Sequence, residues 1–530
     1  MTAPIWARRV RRAPLLAALA ALVVPLLLAP QCPDPAPGLR VGVCERDITP
    51  VTPGLAAAYE AKFGVPAVVN HTDPVWMAGF GNGRAATGYN DQLWARGVVV
   101  DGQGGRVAIV SVDLVGYFVN EVETIRALAS PESGVDYLVV SSTHQHEGPD
   151  TLGIWGPDET TTGIDYGYLD FVNAAVADCV DEAAANLELA RIRYATTDSE
   201  GLSLGLDVED DGLGVADGKV LVGDVDLAPE TDGRIVDSRL SIMQFTRRGP
   251  PHPVLATLVN FASHPESLGS SNTSITSDFP HYARERIEAE LGGTAIWVSG
   301  DLGVLQGPLD LDVLDPDTGQ PAVRRTFRWA QVHGEQLGDR VVEAIADGQP
   351  GAPVAEIAFA STSPVAVRLD NPFFRFLFAA GVIDARRSLY TGGVPDPGVE
   401  FPFDPPFDQV PQATGEDLQT EVGVLRIGAG SFAVVPTELD PQIGETYRDE
   451  MVGAEHTFII GLGNDEIGYQ LPAEKWDDSC HTCFLFVLAG VEEFCPVQPV
   501  DCNTVFQNNV GQEVDPTISG ALVPLIQDLH

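Results

Sequence analysis

Lysine is nearly missing from this 530-residue chain. Only Lys62, Lys219 and Lys475 occur, and 31 basic residues stand against 75 acidic ones, a formal charge of -44. A surface so negative repels nucleic-acid phosphates and anionic lipid headgroups, which excludes DNA, RNA and a polybasic membrane dock as partners. Methionine, with 4 residues, and histidine, with 10, are also scarce. No internal repeat is visible. Cysteine is limited to seven positions: 32, 44, 179, 480, 483, 495 and 502.

The N-terminus begins with Arg8-Arg9-Val10-Arg11-Arg12, continues as an apolar run over 13–29 broken by Pro14 and Pro25, and exits through Pro30-Gln31-Cys32. That layout is a secretory signal peptide, so 1–31 is expected to direct a secreted or periplasmic location. The run is at the short end of the roughly 20 residues a bilayer needs, which argues against a spanning helix. Gln31 is not the small residue that lipoprotein processing prefers, which argues against anchoring at Cys32. Export makes disulfides the default for the cysteines. Cys480-His481-Thr482-Cys483 with Cys495 and Cys502 could be read as a zinc knuckle, but in an oxidising compartment two disulfides are expected there. Cys44 with Cys179 is a further plausible pair, leaving Cys32 odd.

The length suggests two to four domains, or one large domain with insertions. After a Pro-rich linker over 32–40, apolar runs alternate with amphipathic stretches, the pattern of an α/β protein. Strands are expected over 106–115, 136–142, 254–262, 295–299, 423–427, 432–435 and 456–462, and helices over 168–187, 280–291 and 326–346. The Asp/Gly-rich stretch 197–233 and the Pro/Phe-rich stretch 392–417 read as insertions. Phe401, Phe403 and Phe407, with Phe373, Phe374 and Phe376, are either an apolar lip over a pocket or ordinary core.

Given so few histidines, their placement is informative. Val139-Val140-Ser141-Ser142-Thr143-His144-Gln145-His146-Glu147-Gly148-Pro149-Asp150 runs a buried-strand pattern into two imidazoles, and Leu258-Val259-Asn260-Phe261-Ala262-Ser263-His264-Pro265-Glu266-Ser267 repeats the layout with one. If the first strand continued, His144 and His146 would point to opposite faces, one toward a metal and the other toward a neighbouring pocket or the core. The plainer reading makes each a satisfied core histidine. Two more apolar runs end at Pro436-Thr437-Glu438 and at Gly461-Leu462-Gly463-Asn464, a few residues before Tyr469. Two imidazoles, a carboxylate and an open position make the ligand set of a catalytic zinc, although spacing alone does not select these four residues.

Their order along the chain resembles the neutral/alkaline non-lysosomal ceramidase family, specifically its N-terminal catalytic domain. Thr143-His144-Gln145-His146-Glu147-Gly148-Pro149 resembles the family's "THTHSGPG", and Phe261-Ala262-Ser263-His264-Pro265-Glu266-Ser267 resembles "FAVHPTSM". Gly461-Leu462-Gly463-Asn464 to Tyr469 resembles "GLSNxYxxYVT", and Pro436-Thr437-Glu438 resembles "PGEFT". Weaker matches at 43–49, 77–80, 93–96, 111–114 and 277–278 follow the same order. The resemblance implies an α/β fold of layered sheets with helices on the outer faces, filling 41–530 with insertions near 197–233 and 392–417 and a Cys-rich loop at 480–502. It implies a Zn2+ ion held by His144, His264, Glu438 and Tyr469, with His146 near the scissile amide and metal-activated water cleaving an N-acyl bond in a sphingolipid or related molecule. Asp113 and Asp278 become candidate acceptors that fix the imidazole tautomers, or ordinary strand-end caps. The expected partner is a lipid or N-acyl small molecule, with membrane-surface contact and no obligate protein partner.

Three departures accompany the match. Gly303, in Gly300-Asp301-Leu302-Gly303, stands where the family has an active-site serine. The family's substrate-binding arginine has no counterpart near Glu200-Gly201-Leu202-Ser203-Leu204-Gly205. The chain ends about sixty residues after Tyr469, which leaves no room for the family's C-terminal immunoglobulin-like domain. The alternatives are a non-catalytic metal- or lipid-binding surface protein of the same fold, and an esterase acting on a small acylated metabolite.

Overall fold

The apolar runs condense into two stacked sheets with helices on both outer faces. A computed structural model of the chain describes residues 38–530 apart from 200, 206–220, 223–235, 304–305, 309–310, 347–350, 405–406, 474–475 and 477–508. The expected signal peptide, most of the Asp/Gly-rich stretch, Cys32 and the four C-terminal cysteines lie outside the described residues.

The first sheet is built from β1 (Arg40–Asp47), β2 (Trp94–Gly102), β3 (Gly105–Val112), β4 (Tyr137–Ser142), β5 (Glu188–Asp198), β6 (Arg239–Arg247), β7 (Val254–Phe261) and β8 (Thr294–Ser299). Their order across the sheet is β8-β7-β6-β5-β1-β2-β3-β4. Neighbours are antiparallel except β7 with β8 and β3 with β4, which are parallel. Every residue of β4 is buried, as a strand covered on both faces requires. The second sheet is formed chiefly by β9 (Ile357–Arg368), β10 (Asp417–Ile427), β11 (Gly430–Val434) and β12 (His456–Ile460), paired in that order. Only the β11–β12 pair is parallel.

Val98, Ile109, Val139, Leu258 and Val298 of the first sheet pack on Leu425, Phe432, Phe458 and Ile460 of the second, and this inter-sheet layer is the central core. The helices α1 (Val119–Leu128), α2 (Tyr166–Ala185), α3 (Phe279–Leu291), α4 (Phe327–Ile345), α5 (Pro372–Ala379), α6 (Pro441–Glu450) and α7 (Val514–Leu529) supply the outer layers. Val122, Ile125, Val172, Val176 and Val180 of α1 and α2 cover one half of the first sheet's outer face. Ala283, Ile287, Leu337 and Val341 of α3 and α4 cover the other half. Tyr447, Ile518, Leu522 and Ile526 of α6 and α7 cover the second sheet. Each fully buried side chain of this size contributes about 1.5–3 kcal/mol of hydrophobic burial. The helix starts follow the chemistry of N-caps: Asp165, Thr326 and Asp440 each accept a hydrogen bond from a backbone N–H of the first turn.

Cys44 of β1 and Cys179 of α2 form a disulfide with Cα atoms 5.3 Å apart. The aromatic stretch at 373–378 is helical, in α5, and Phe376 and Leu377 are buried with Val115, Leu152 and Val382. Phe373, Phe374, Phe403 and Phe407 pack against them half-buried, whereas Phe401 is exposed. Among the described residues no helix is long and apolar enough to cross a membrane.

Candidate metal centre

β4, β7, β11 and β12 all direct their C-terminal ends toward one place, the side of a sheet where loops leave strands and ligand sites form. The loop after β4 carries His144 and His146, that after β7 carries His264, and those after β11 and β12 carry Glu438 and Tyr469. Glu438 and Tyr469 pair directly across a two-residue parallel ladder, which sets their side chains side by side.

Strand β4 stops at Ser142, and His144 takes a left-handed backbone conformation with φ 63°. The expectation that the two imidazoles diverge is therefore corrected. The pleat ends before it can alternate them, and His146 Nε2 lies 3.4 Å from His144 Nε2. A β-carbon costs roughly 1 kcal/mol or more in this conformation. Three other non-glycine residues with positive φ, Asp278, Leu462 and Asn464, sit on the same loops, so backbone strain concentrates around the site.

His144 Nε2 is 3.3 Å and His264 Nε2 3.0 Å from the same oxygen of Glu438, Oε2. Tyr469 Oη is 3.4 Å from His264 Nε2. All four side chains, and His146, are buried. The outward nitrogens are tied to backbone: His144 Nδ1 donates to the Val115 carbonyl at 2.5 Å and His264 Nδ1 to that of Gln306 at 3.0 Å. Each donation turns the other ring nitrogen, Nε2, inward toward Glu438 Oε2. Ligands 2.0–2.1 Å from a tetrahedral ion are about 3.3–3.4 Å apart, so these spacings fit one shared ion. The buried group His144, His146 and His264 is likewise close enough to hold a metal ion.

Charge in the site is unbalanced. Burial alone would favour the neutral acid at Glu438, yet the two neighbouring imidazoles hold it well below the ordinary carboxylate range. Burial, reinforced by the Glu438 charge, pushes the Tyr469 phenol well above its ordinary value. Burial and the flanking imidazoles push His146 well down. Burial, with Asp278, Glu438 and Glu147 nearby, raises Glu266 to about 8. Burial and the Glu438 charge also raise Glu466 well above the usual range, and its Oε2 has no hydrogen-bond partner.

Asp113 and Asp278 do not touch the imidazoles. Asp113 makes a bidentate pair with Arg284, 2.8 Å at each oxygen, and accepts from the Trp94 N–H. Asp278 accepts from Phe279 N at the start of α3. Backbone carbonyls take the role expected of these acids, while the acids cap and tie down the strand ends. Gly303 donates its N–H to the Leu439 carbonyl at 2.8 Å. A Cβ placed on Gly303 would lie 2.3 Å from the Glu438 carbonyl oxygen, so no serine fits there unless that backbone moves.

Comparison with family models and with curated protein sequences returns no match. Among solved structures, neutral ceramidase from Pseudomonas aeruginosa aligns over 94% of this chain and 75% of its own, with TM-score 0.62 and 17% identity. A second structure, a ceramidase complexed with C2, aligns over 93% and 75%, with TM-score 0.61 and 16% identity. The chain has the neutral ceramidase fold. Within that fold, the motif mismatches mark residues that sequence reasoning passed over. Glu147, Glu266 and Glu466 stand where the motifs resembled in sequence have Ser, Thr and Tyr, three acids introduced around one site. Glu147 faces Arg84 at 2.8 Å, but burial outweighs that contact and raises its carboxyl group to about 8; the Arg84 guanidinium also grips the carbonyls of Ala78 and His146.

Proposed function

We propose that the chain is an exported, zinc-dependent hydrolase that cleaves an N-acyl bond in a sphingolipid or related lipid-like substrate. One observation carries the reading: two imidazoles with backbone-fixed tautomers share one oxygen of a buried glutamate, beside a tyrosine. Nitrogen and oxygen donors at these spacings suit Zn2+, and His144, His264 and Glu438, with Tyr469 beside them, would hold it. When bound, such an ion supplies a water nucleophile of lowered pKa and polarises an acyl carbonyl.

The chain's own residues supply the remainder. Val115 and Gln306 carbonyls keep the imidazoles in the ligating tautomer, and burial keeps bulk water from the reacting groups. Val115, whose carbonyl holds His144, is also part of the apolar cluster with Leu152, Phe376 and Val382. The half-buried Phe373, Phe374, Phe403 and Phe407 extend that cluster, and a hydrocarbon chain is the ligand such a surface suits. The basic, then apolar, N-terminus and the Cys44–Cys179 disulfide support export to an oxidising compartment.

The test is a turnover screen of zinc-loaded protein against matched N-acyl and O-acyl substrates. Chelator-sensitive hydrolysis of an N-acyl member, abolished in Glu438→Gln, is expected. A uniform preference for esters would change the bond, and no chelator-sensitive turnover across the panel would leave a binding protein.

A further inference from the structure

A buried polar network lies behind His264 and Glu438. We infer that Gln306 is a positioning residue for the metal centre: its side chain holds in place the carbonyl that orients His264, and the ion pairs behind it tie that carbonyl to the segment carrying Glu438. This rests on the metal-centre reading above and deepens it.

His144 and His264 are held differently. The His144 N–H donates to the Leu114 carbonyl at 3.0 Å and its Nδ1 to that of Val115, two acceptors that follow closely on β3. His264 sends both its N–H, at 2.7 Å, and its Nδ1, at 3.0 Å, to the single carbonyl of Gln306. That carbonyl decides where the ring lies and which nitrogen faces Glu438. Gln306 belongs to no strand or helix, so no ladder of backbone hydrogen bonds fixes it. Its side chain does. Nε2 reaches Ser203 Oγ at 2.7 Å and the carbonyls of Ala262 and Asp237, and Oε1 accepts the Asp237 N–H at 3.0 Å. Gln306 therefore brackets the chain just past β7, with its side chain on Ala262 and its main chain on His264. The residue is fully buried with both ends of its amide satisfied, the condition in which a polar group fixes one arrangement of its surroundings.

The anchor at Asp237 is itself fixed. Arg448 of α6 donates to Asp237 Oδ2 at 2.7 Å and to the two oxygens of Asp301 at 2.7 and 2.8 Å, and all three side chains are buried. Asp301 opens the loop whose Gly303 N–H donates to the Leu439 carbonyl, and α6 begins just after Glu438, at Pro441. A Cβ on Gly444 of α6 would stand 2.0 Å from Asp301 Oδ2, so helix and loop touch directly. A continuous path of polar contacts thus runs from the His264 ring through Gln306, Asp237 and Arg448 to the helix that follows Glu438. The 3.0 Å between His264 Nε2 and Glu438 Oε2 is held from its two ends.

The experiment compares wild type with Gln306→Met, which keeps the volume of the side chain and loses every hydrogen bond of its amide. Two properties of the purified chain are read: the tautomer of the His264 ring in metal-free protein, by nitrogen NMR of the imidazoles, and cobalt(II) affinity, by chelator competition. Wild type is expected to carry the His264 proton on Nδ1. Gln306→Met is expected to show both tautomers and to bind cobalt(II) about 10–100-fold more weakly, the range for outer partners of metal ligands. A merely structural role would lower stability and move neither property. Gln306→Asn, whose shorter amide cannot reach Ala262 and Asp237 together, serves if the methionine variant fails to fold, as judged by circular dichroism. An unchanged tautomer with unchanged affinity in a folded Gln306 variant overturns the inference while leaving the metal centre standing. No cobalt(II) binding by wild type overturns both.

Discussion

Replacing Gly303 by alanine would drive a methyl group into the backbone that carries Glu438. The new Cβ would stand 2.3 Å from the Glu438 carbonyl oxygen, 2.6 Å from the Leu439 carbonyl carbon and 2.7 Å from that of Glu438. Ordinary contacts of this kind are about 3.5 Å, so the two segments must part by roughly 1 Å. Overpacking of this size costs about 1–3 kcal/mol, and the displaced residue is a proposed metal ligand. A misplacement of about 1 Å at a reacting centre lowers turnover by up to about 10²-fold. Denaturant unfolding of wild type and Gly303→Ala, with and without zinc, measures the first effect, and chelator competition measures metal affinity. Loss of stability is expected in both conditions, larger with zinc, because the ion binds the folded state less tightly. Gly303→Ser, the residue the family resemblance would ask for, is expected to behave the same way. A variant as stable as wild type, with unchanged zinc affinity, would refute the packing argument.

Three further outcomes are expected. Asp113→Ala strands the buried Arg284 guanidinium and should destabilise the chain by about 3–5 kcal/mol, measured by chemical denaturation. Burial lowers His333 to about 4 although its Nε2 donates to the Leu202 carbonyl, so the folded state binds fewer protons than the unfolded one below about pH 6.5. Stability contributed by the neutral ring is thus full above pH 6.5 and falls toward pH 4, by up to about 3 kcal/mol, and His333→Gln should flatten that acid limb. Loss of the Cys44–Cys179 bond in Cys44→Ala, which opens a link across 135 residues, should cost about 2–5 kcal/mol in the same assay.

The strands that carry the site, β4, β7, β11 and β12, and their neighbours β3 and β8 were legible because they are nearly continuous apolar runs, and all lie within two or three residues of their expected bounds. Strands with mixed faces were not. β5 alternates apolar residues with Arg and Thr, and β9 contains Pro364 at a register shift between Thr362 and Val365. Proline also obscured α7, which tolerates Pro524 because its Val514, Ile518, Leu522 and Ile526 face is fully packed. At the site, residue order identified which strand ends matter, but not the turn at His144 that brings His146 back beside it. A left-handed residue is invisible to a period-two reading. Glu266 and Glu466 escaped because an acid in a loop normally means a solvated surface, and only the fold shows them buried.

The central claim is a metal ion held by His144, His264 and Glu438, and elemental analysis of the purified protein tests it most directly. About one zinc per chain is expected in the wild type, falling to background in the His144→Ala, His264→Ala double variant while circular dichroism shows the fold retained. Full zinc occupancy persisting in that folded double variant would contradict the account.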